Sequence, residues 1–194
     1  MRRAAIILGG LAALGALTAV LLSLINDGAA QFEVAGERMV VAGNLTLLST
    51  ERIEVLAEQH PEITTVTLGE IDPASDPQSM MEKALLIRSL DLNTEVAPGV
   101  TLTPGAMLLF LGGTGRRLAE GARLSVSDWQ TSVGPASLLD PQHPAHQERR
   151  RHMEVLLGDA ALYDFSLAAA PVGAAHILSA DEIARFGLTT GETR

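Results

Sequence analysis

The chain of 194 residues is 47% hydrophobic, only 3% aromatic, and carries a formal charge of −9. That acidity repels phosphate backbones and anionic headgroups, so nucleic acid is excluded as an expected partner. The absence of cysteine excludes disulfides, thiolate metal sites and a cysteine nucleophile.

Arg2 and Arg3 precede an uncharged run from Ala4 to Ile25, which Asn26-Asp27-Gly28 closes. A helix needs about 20 apolar residues to cross the hydrocarbon layer, and this run shows no polar face of the kind a core helix keeps. Arginines before it and an acid after it place the N-terminus in the cytoplasm. Residues 1–27 therefore read as a signal-anchor in the inner (cytoplasmic) membrane, with residues 4–25 in the bilayer and the remainder periplasmic. Gly28-Ala29-Ala30 offers the alternative of signal-peptide cleavage and release into the periplasm. The run is nevertheless longer than the roughly 7–15 residues of a cleavable apolar region.

Beyond it there is room for one domain, residues 31–190, with a core of Leu, Val, Ile, Ala and Met. Phe32-Glu33-Val34 and Arg38 to Val41 predict short strands around Gly36. Ser49 reads as an N-cap, with Glu51 in the first turn and Ile53, Leu56 and Ala57 on one face, and the helix ends near His60 before Pro61. Ile63 to Leu68 is rich in β-branched residues and predicts a strand. A turn-rich stretch, Gly69 to Ser75, follows. Asp76-Pro77 starts a helix that runs to Ser89.

Thr94-Glu95-Val96 predicts another strand. Gly105 to Leu111 predicts a helix apolar all round, hence buried on all sides, ended by Gly112-Gly113. Arg123 to Ser127 predicts a strand, followed by a Gly/Pro/Ser-rich crossing to about Pro144. His146 to Leu157 and Ala160 to Leu167 read as helices, and Ser179 caps a last helix, Ala180 to Phe186, with Gly187 at its C-terminus. Strands alternating with helices predict βαβ units and a mostly parallel sheet, the α/β class.

Four stretches together resemble the ClpP/crotonase-like superfamily, in particular its small periplasmic Clp-protease-like members. They are the strand Ile63–Leu68 leading to Ala84-Leu85-Leu86-Ile87-Arg88-Ser89, the buried helix Gly105–Gly113, Ala119-Glu120-Gly121-Ala122-Arg123-Leu124, and the closing Leu178-Ser179-Ala180-Asp181-Glu182-Ile183-Ala184-Arg185-Phe186-Gly187-Leu188. The resemblance covers roughly Val40 to Leu188, through the order and spacing of these stretches. It implies a serine at the start of the buried helix, where the helix dipole and backbone amides hold an oxyanion. Counting back from Phe110, that position is Pro104, which has neither hydroxyl nor N–H. The position of the family's histidine base falls on Ser127, and that of its orienting acid near Ala175.

The oxyanion turn corresponds to Asp72-Pro73-Ala74-Ser75, with Ala74 and Ser75 where the family has glycines. All three triad positions fail, and a hydroxyl without a base in reach is a weak nucleophile. The resemblance thus implies a catalytically inactive relative that binds a protein or peptide partner through the old substrate cleft, with self-association implied by the family's habit. The alternative is a divergent serine/threonine peptidase or esterase using Thr103, with His176 as its base. Against it, Thr103 followed by Pro104 also reads as a helix N-cap with proline at the first helical position.

Other motifs lead to no site. His143, His146 and His152 have no acidic ligand at a familiar spacing and stand among Arg149 to Arg151, whose charge disfavours a metal. Gly112 to Arg117 follows a helix and precedes a strand, the reverse of a phosphate-binding loop, and reads as a turn. Asp128, beside Trp129, reads as a solvated or capping residue. Neither a metal nor a cofactor is expected.

Overall fold

The computed structural model describes residues 30–72 and 77–190. The membrane segment, Ala74, Ser75 and the Asp76 cap lie outside the described residues. Among those described, no helix is long and apolar enough to cross a membrane.

The chain starts with a hairpin, β1 (Gln31–Ala35) and β2 (Arg38–Gly43), turning at Gly36 with φ +58°. Helix α1 (Leu48–Gln59) leads to β3 (Thr65–Ile71), α2 (Pro77–Ser89) to β4 (Asn93–Val96). Then come β5 (Thr101–Leu102), α3 (Met107–Gly112), β6 (Arg116–Leu118) and β7 (Arg123–Val126). A hairpin, β8 (Gln130–Thr131) and β9 (Gly134–Pro135), and a 3-10 turn at Ala136–Leu138 precede α4 (Pro144–Leu157) and α5 (Ala161–Ala169). Strand β10 (His176–Ile177) and α6 (Ala180–Arg185) close the fold.

One sheet has the order β1-β2-β3-β4-β6, parallel except for the first hairpin. A second has the order β10-β7-β5, with β5 parallel and β10 antiparallel to β7. The α/β class and the largely parallel main sheet agree with the sequence pattern. Most boundaries move by no more than two residues, α3 starting at Met107 and α4 at Pro144, and three further readings need correction. Helix α1 begins at Leu48, and Ser49 does not cap it: its Oγ accepts the N–H of Thr46 at 3.1 Å. Strand β3 is shifted to Thr65–Ile71, so Gly69 lies inside a strand and not in a turn, its place beside Ala42 leaving little room for a Cβ. Gly112 to Arg117 is not wholly a turn either, since β6 begins at Arg116.

Helix α3 is the centre of the core. Every residue from Ala106 to Gly112 is buried, and the helix packs against α2, α4 and β4. A short helix buried on all sides leaves carbonyls that no water can reach. Thr94 Oγ1 donates to the Phe110 carbonyl at 2.6 Å, and Arg88 donates to the carbonyls of Leu111 and, at the end of α4, Leu156, both at 2.9 Å. Side chains from β4 and α2 thus replace the missing solvent. A Cβ on Gly112 would lie 2.5 Å from the Ala84 carbonyl oxygen, so glycine sets the distance between α2 and α3.

Across the main sheet, Glu95 on β4 accepts from Arg38 at 2.6 Å on one side and from Arg117 on the other. Burial pushes its carboxyl up, but the hydrogen bonds from Arg117 and Arg38, aided by their charges, outweigh it and hold the group below its ordinary value.

Gly112→Ala is therefore expected to cost about 1–3 kcal/mol, as overpacking of a closed core does. Gly105→Ala, whose added Cβ meets nothing within 4 Å, is expected to leave the denaturation midpoint unchanged or raised, and urea unfolding of the two variants checks the contrast. The depressed Glu95 carboxyl contributes stability above its unfolded-state value, and that stability is lost as pH falls through the folded value. Glu95→Gln should cost about 1–3 kcal/mol at neutral pH and little in acid, read from unfolding midpoints across that range.

Candidate functional site

Parallel pairing of β5 with β7, Thr101 opposite Arg123 and Leu102 opposite Leu124, sends the chain out of both strands on the same side. Ser125 Oγ, donating to the Leu102 carbonyl at 2.6 Å, fixes this pairing. Thr103-Pro104-Gly105 leaves β5 and Ser127-Asp128-Trp129 leaves β7, and the two segments meet at one pocket of about 210 Å³. Met107 and Leu108 of α3 line its floor. Arg149 and Met153 of α4 and Leu162, Tyr163 and Ser166 of α5 form the opposite wall.

Two of the three positions singled out in the sequence, Pro104 and Ser127, thus meet in one cavity. The third, Ala175, directly precedes β10. His176 pairs with Val126, so Ala175 stands at the next register position, beside Ser127, and is exposed there.

The hydroxyls and the acid at the pocket have structural partners. Ser127 Oγ donates to the Asp128 carbonyl at 2.8 Å and Ser166 Oγ to the Tyr163 carbonyl at 2.7 Å. The buried Asp128 carboxylate accepts from the Trp129 N–H at 2.7 Å and from Ser137 Oγ at 2.7 Å, with the Ser137 N–H at 3.2 Å. Through Ser137 it ties the 3-10 turn and the β8–β9 hairpin to the pocket wall, so it is buried and paired rather than solvated. Thr103 Oγ1 lies 3.4 Å from the Ala106 N–H, which it accepts at the start of α3.

None of the described residues lining the pocket is a histidine. His176 binds both Glu182 carboxylate oxygens through Nε2 at 3.0 Å and packs edge-on against Phe165. That contact adjoins the capping box of α6, where Ser179 and Glu182 satisfy each other. His143 Nδ1 accepts the Ala145 N–H at the start of α4, and His146 is buried against Tyr163. Among the described residues no group of three or more His, Asp or Glu could hold a metal ion.

Two side chains at the pocket were not singled out in the sequence. Tyr163 Oη lies 2.6 Å from His146 Nδ1 and accepts from Trp129 Nε1 at 3.3 Å, a chain that fixes both rings. Burial raises the Tyr163 phenol, against the lowering hydrogen bond from Trp129 and the charges of Arg149 and Arg150, so it stays neutral at physiological pH. Arg149 stacks over Trp129 with its guanidinium carbon 4.1 Å from the ring centroid. Burial lowers its pKa, opposed by Tyr163 and Glu148, yet an arginine remains charged. The signal was present in the sequence. His146, Arg149, Met153 and Leu156 are spaced 3, 4 and 3 apart, the inward stripe of α4, with an arginine in an otherwise buried row.

No family model matches the chain, and no curated protein matches it. Solved structures do. A ClpP1 point mutant from Listeria monocytogenes superposes with TM-score 0.55 at 11% identity, over 79% of this chain and 88% of that one. The 1510-N membrane-bound stomatin-specific protease, in complex with a substrate peptide, gives 0.52 at 15% identity, over 77% and 71%. A putative enoyl-CoA hydratase/isomerase family protein from Hyphomonas neptunium gives 0.50 at 15%, over 82% and 67%. At these identities the likeness is one of fold, and the described part of the chain has the ClpP/crotonase-like fold.

Proposed function

We propose that the chain is a membrane-anchored ClpP/crotonase-like domain, held outside the cytoplasm by residues 4–25, that binds a protein or peptide partner in its pocket without hydrolysing it. Proline at position 104 carries this reading. It stands at the pocket where α3 begins, the place at which the resembled family has its nucleophile, and it offers neither hydroxyl nor N–H. Ser127 adds a hydroxyl but no base, and the lining residues described include no histidine to activate one. The resemblance extends the reading to self-association of the domain.

Support for a peptide as occupant is twofold. The pocket is mostly apolar, as befits a site for a side chain. The same fold carries a substrate peptide in the 1510-N stomatin-specific protease. The rival reading, a hydrolase using Thr103, has to free a hydroxyl that accepts an N–H of α3 and to bring a base to it. His176, its proposed base, is engaged by Glu182.

A fluorophosphonate probe distinguishes the two. The full-length chain in membranes is expected to remain unlabelled, and the double variant Pro104→Ser, Ser127→His to gain labelling. Labelling of the native chain that disappears in Thr103→Ala would replace the binding reading with an unconventional hydrolase.

A further inference from the structure

Helix α4 carries three consecutive arginines with different fates. Arg150 is engaged by Asp164, with its Nη2 2.9 Å from the carboxylate, and by the Pro141 carbonyl at 2.9 Å. Arg151 is exposed. Arg149 takes the inward position between His146 and Met153, lies over the Trp129 ring, and lines the pocket. Its guanidinium makes no hydrogen bond or ion pair among the described residues, although it offers five N–H donors in a planar fork matched to a carboxylate.

The rest of the pocket limits what that cation can meet. Met107, Leu108, Met153 and Leu162 make the lining mostly apolar. The other charge in the wall is Asp128, whose oxygens are already taken by Trp129 and Ser137. Arg149 and the buried Asp128 carboxylate already sum to zero, so each further negative charge is added against the field, which favours a carboxylate monoanion over a phosphate dianion. A cavity of about 150 Å³ is enough for benzene, so one of about 210 Å³ has room for one large side chain and not for a long acyl tail.

We infer that the pocket receives the C-terminus of a peptide, with an apolar last side chain between α3 and α5 and the free terminal carboxylate against the Arg149 guanidinium. The inference rests on the peptide-binding reading and narrows it to one end of the peptide. The cation–π contact with Trp129 holds the guanidinium in place before the ligand arrives, so little side-chain freedom is lost on binding.

The chain's single tryptophan is Trp129, so its emission reports this pocket alone. The full-length chain in phosphatidylcholine vesicles, which add no tryptophan, is titrated with the peptide Gly-Ala-Leu, with its C-terminal amide, and with hexanoate. The free acid is expected to bind at least about tenfold tighter than the amide, the value of one charge-assisted bidentate contact. Hexanoate should bind more weakly than the free acid. Arg149→Gln should bring the acid to the affinity of the amide, with an unchanged unfolding midpoint. Gly105→Leu, projecting into open space, should remove binding of both.

Equal binding of acid and amide by the native chain would overturn the carboxylate inference and leave the peptide reading standing, a comparison that holds even if Arg149→Gln unfolds. Binding of neither peptide would overturn both. Hexanoate binding as tightly as the free acid would overturn the peptide as the source of the carboxylate.

Discussion

A six-residue helix with no polar face has to be enclosed, and the enclosure of α3 decides where everything else goes. Its burial removes water from its last carbonyls, and an unpaired buried carbonyl costs about 1–3 kcal/mol. The chain answers with donors from other elements, Thr94 from β4 and Arg88 from α2. The Arg88 side chain also reaches the Leu156 carbonyl of α4, so one guanidinium gathers the C-terminal ends of two helices. With its C-terminal end fixed, α3 points its N-terminus, and the turn Pro104 to Ala106 before it, toward the ends of β5 and β7. The pocket is the consequence: it forms where the buried helix begins.

The parts of this arrangement that are local in sequence are legible there. Ser179 followed three residues later by Glu182 announces α6 because the capping box closes within one turn. Pro144 at the start of α4 and Gly158 at its end, with φ +92°, are local signals of the same kind, although the pattern read above places that start two residues later, at His146. The short strands β5, β6, β8, β9 and β10 are not legible. Two or three residues show no periodicity, and what makes β5, β6 and β10 strands is a partner distant in sequence, such as Arg123 for Thr101 and Val126 for His176, whereas β8 and β9 pair with each other. Ser49 misled for a related reason. A serine before an apolar run looks like a cap, yet Leu47 and Leu48 are exposed enough to begin the helix earlier, and the hydroxyl turns back to Thr46.

The site divides along the same line. That positions 104 and 127 belong together could be inferred only through resemblance to a known fold, since the register between β5 and β7 joins them. Arg149 needed no such help: its place in the 146, 149, 153 and 156 row was visible. It was obscured by Arg150 and Arg151, because a run of like charges reads as a solvated face. On a helix, however, three consecutive residues point in three directions about 100° apart, and one of these points inward.

Two residues at this pocket run against stability alone. Glycine at position 105, near the start of α3, leaves open space where a Cβ would meet nothing, and alanine there would restrict the unfolded chain at no steric cost. Arginine at position 149 takes a place in the inward row where a leucine or methionine would bury more area without desolvating a charge. Around them the wall is well fixed. Tyr163 is held by His146 and Trp129, and Asp128 holds the segment that carries Trp129. A sequence that secures the walls of a pocket by hydrogen bonds, yet leaves open space at Gly105 and places a cation in the wall, departs from local optimisation at this site. Such departures are expected where a fold does its work, and the work these residues allow is to receive an apolar group that carries one negative charge.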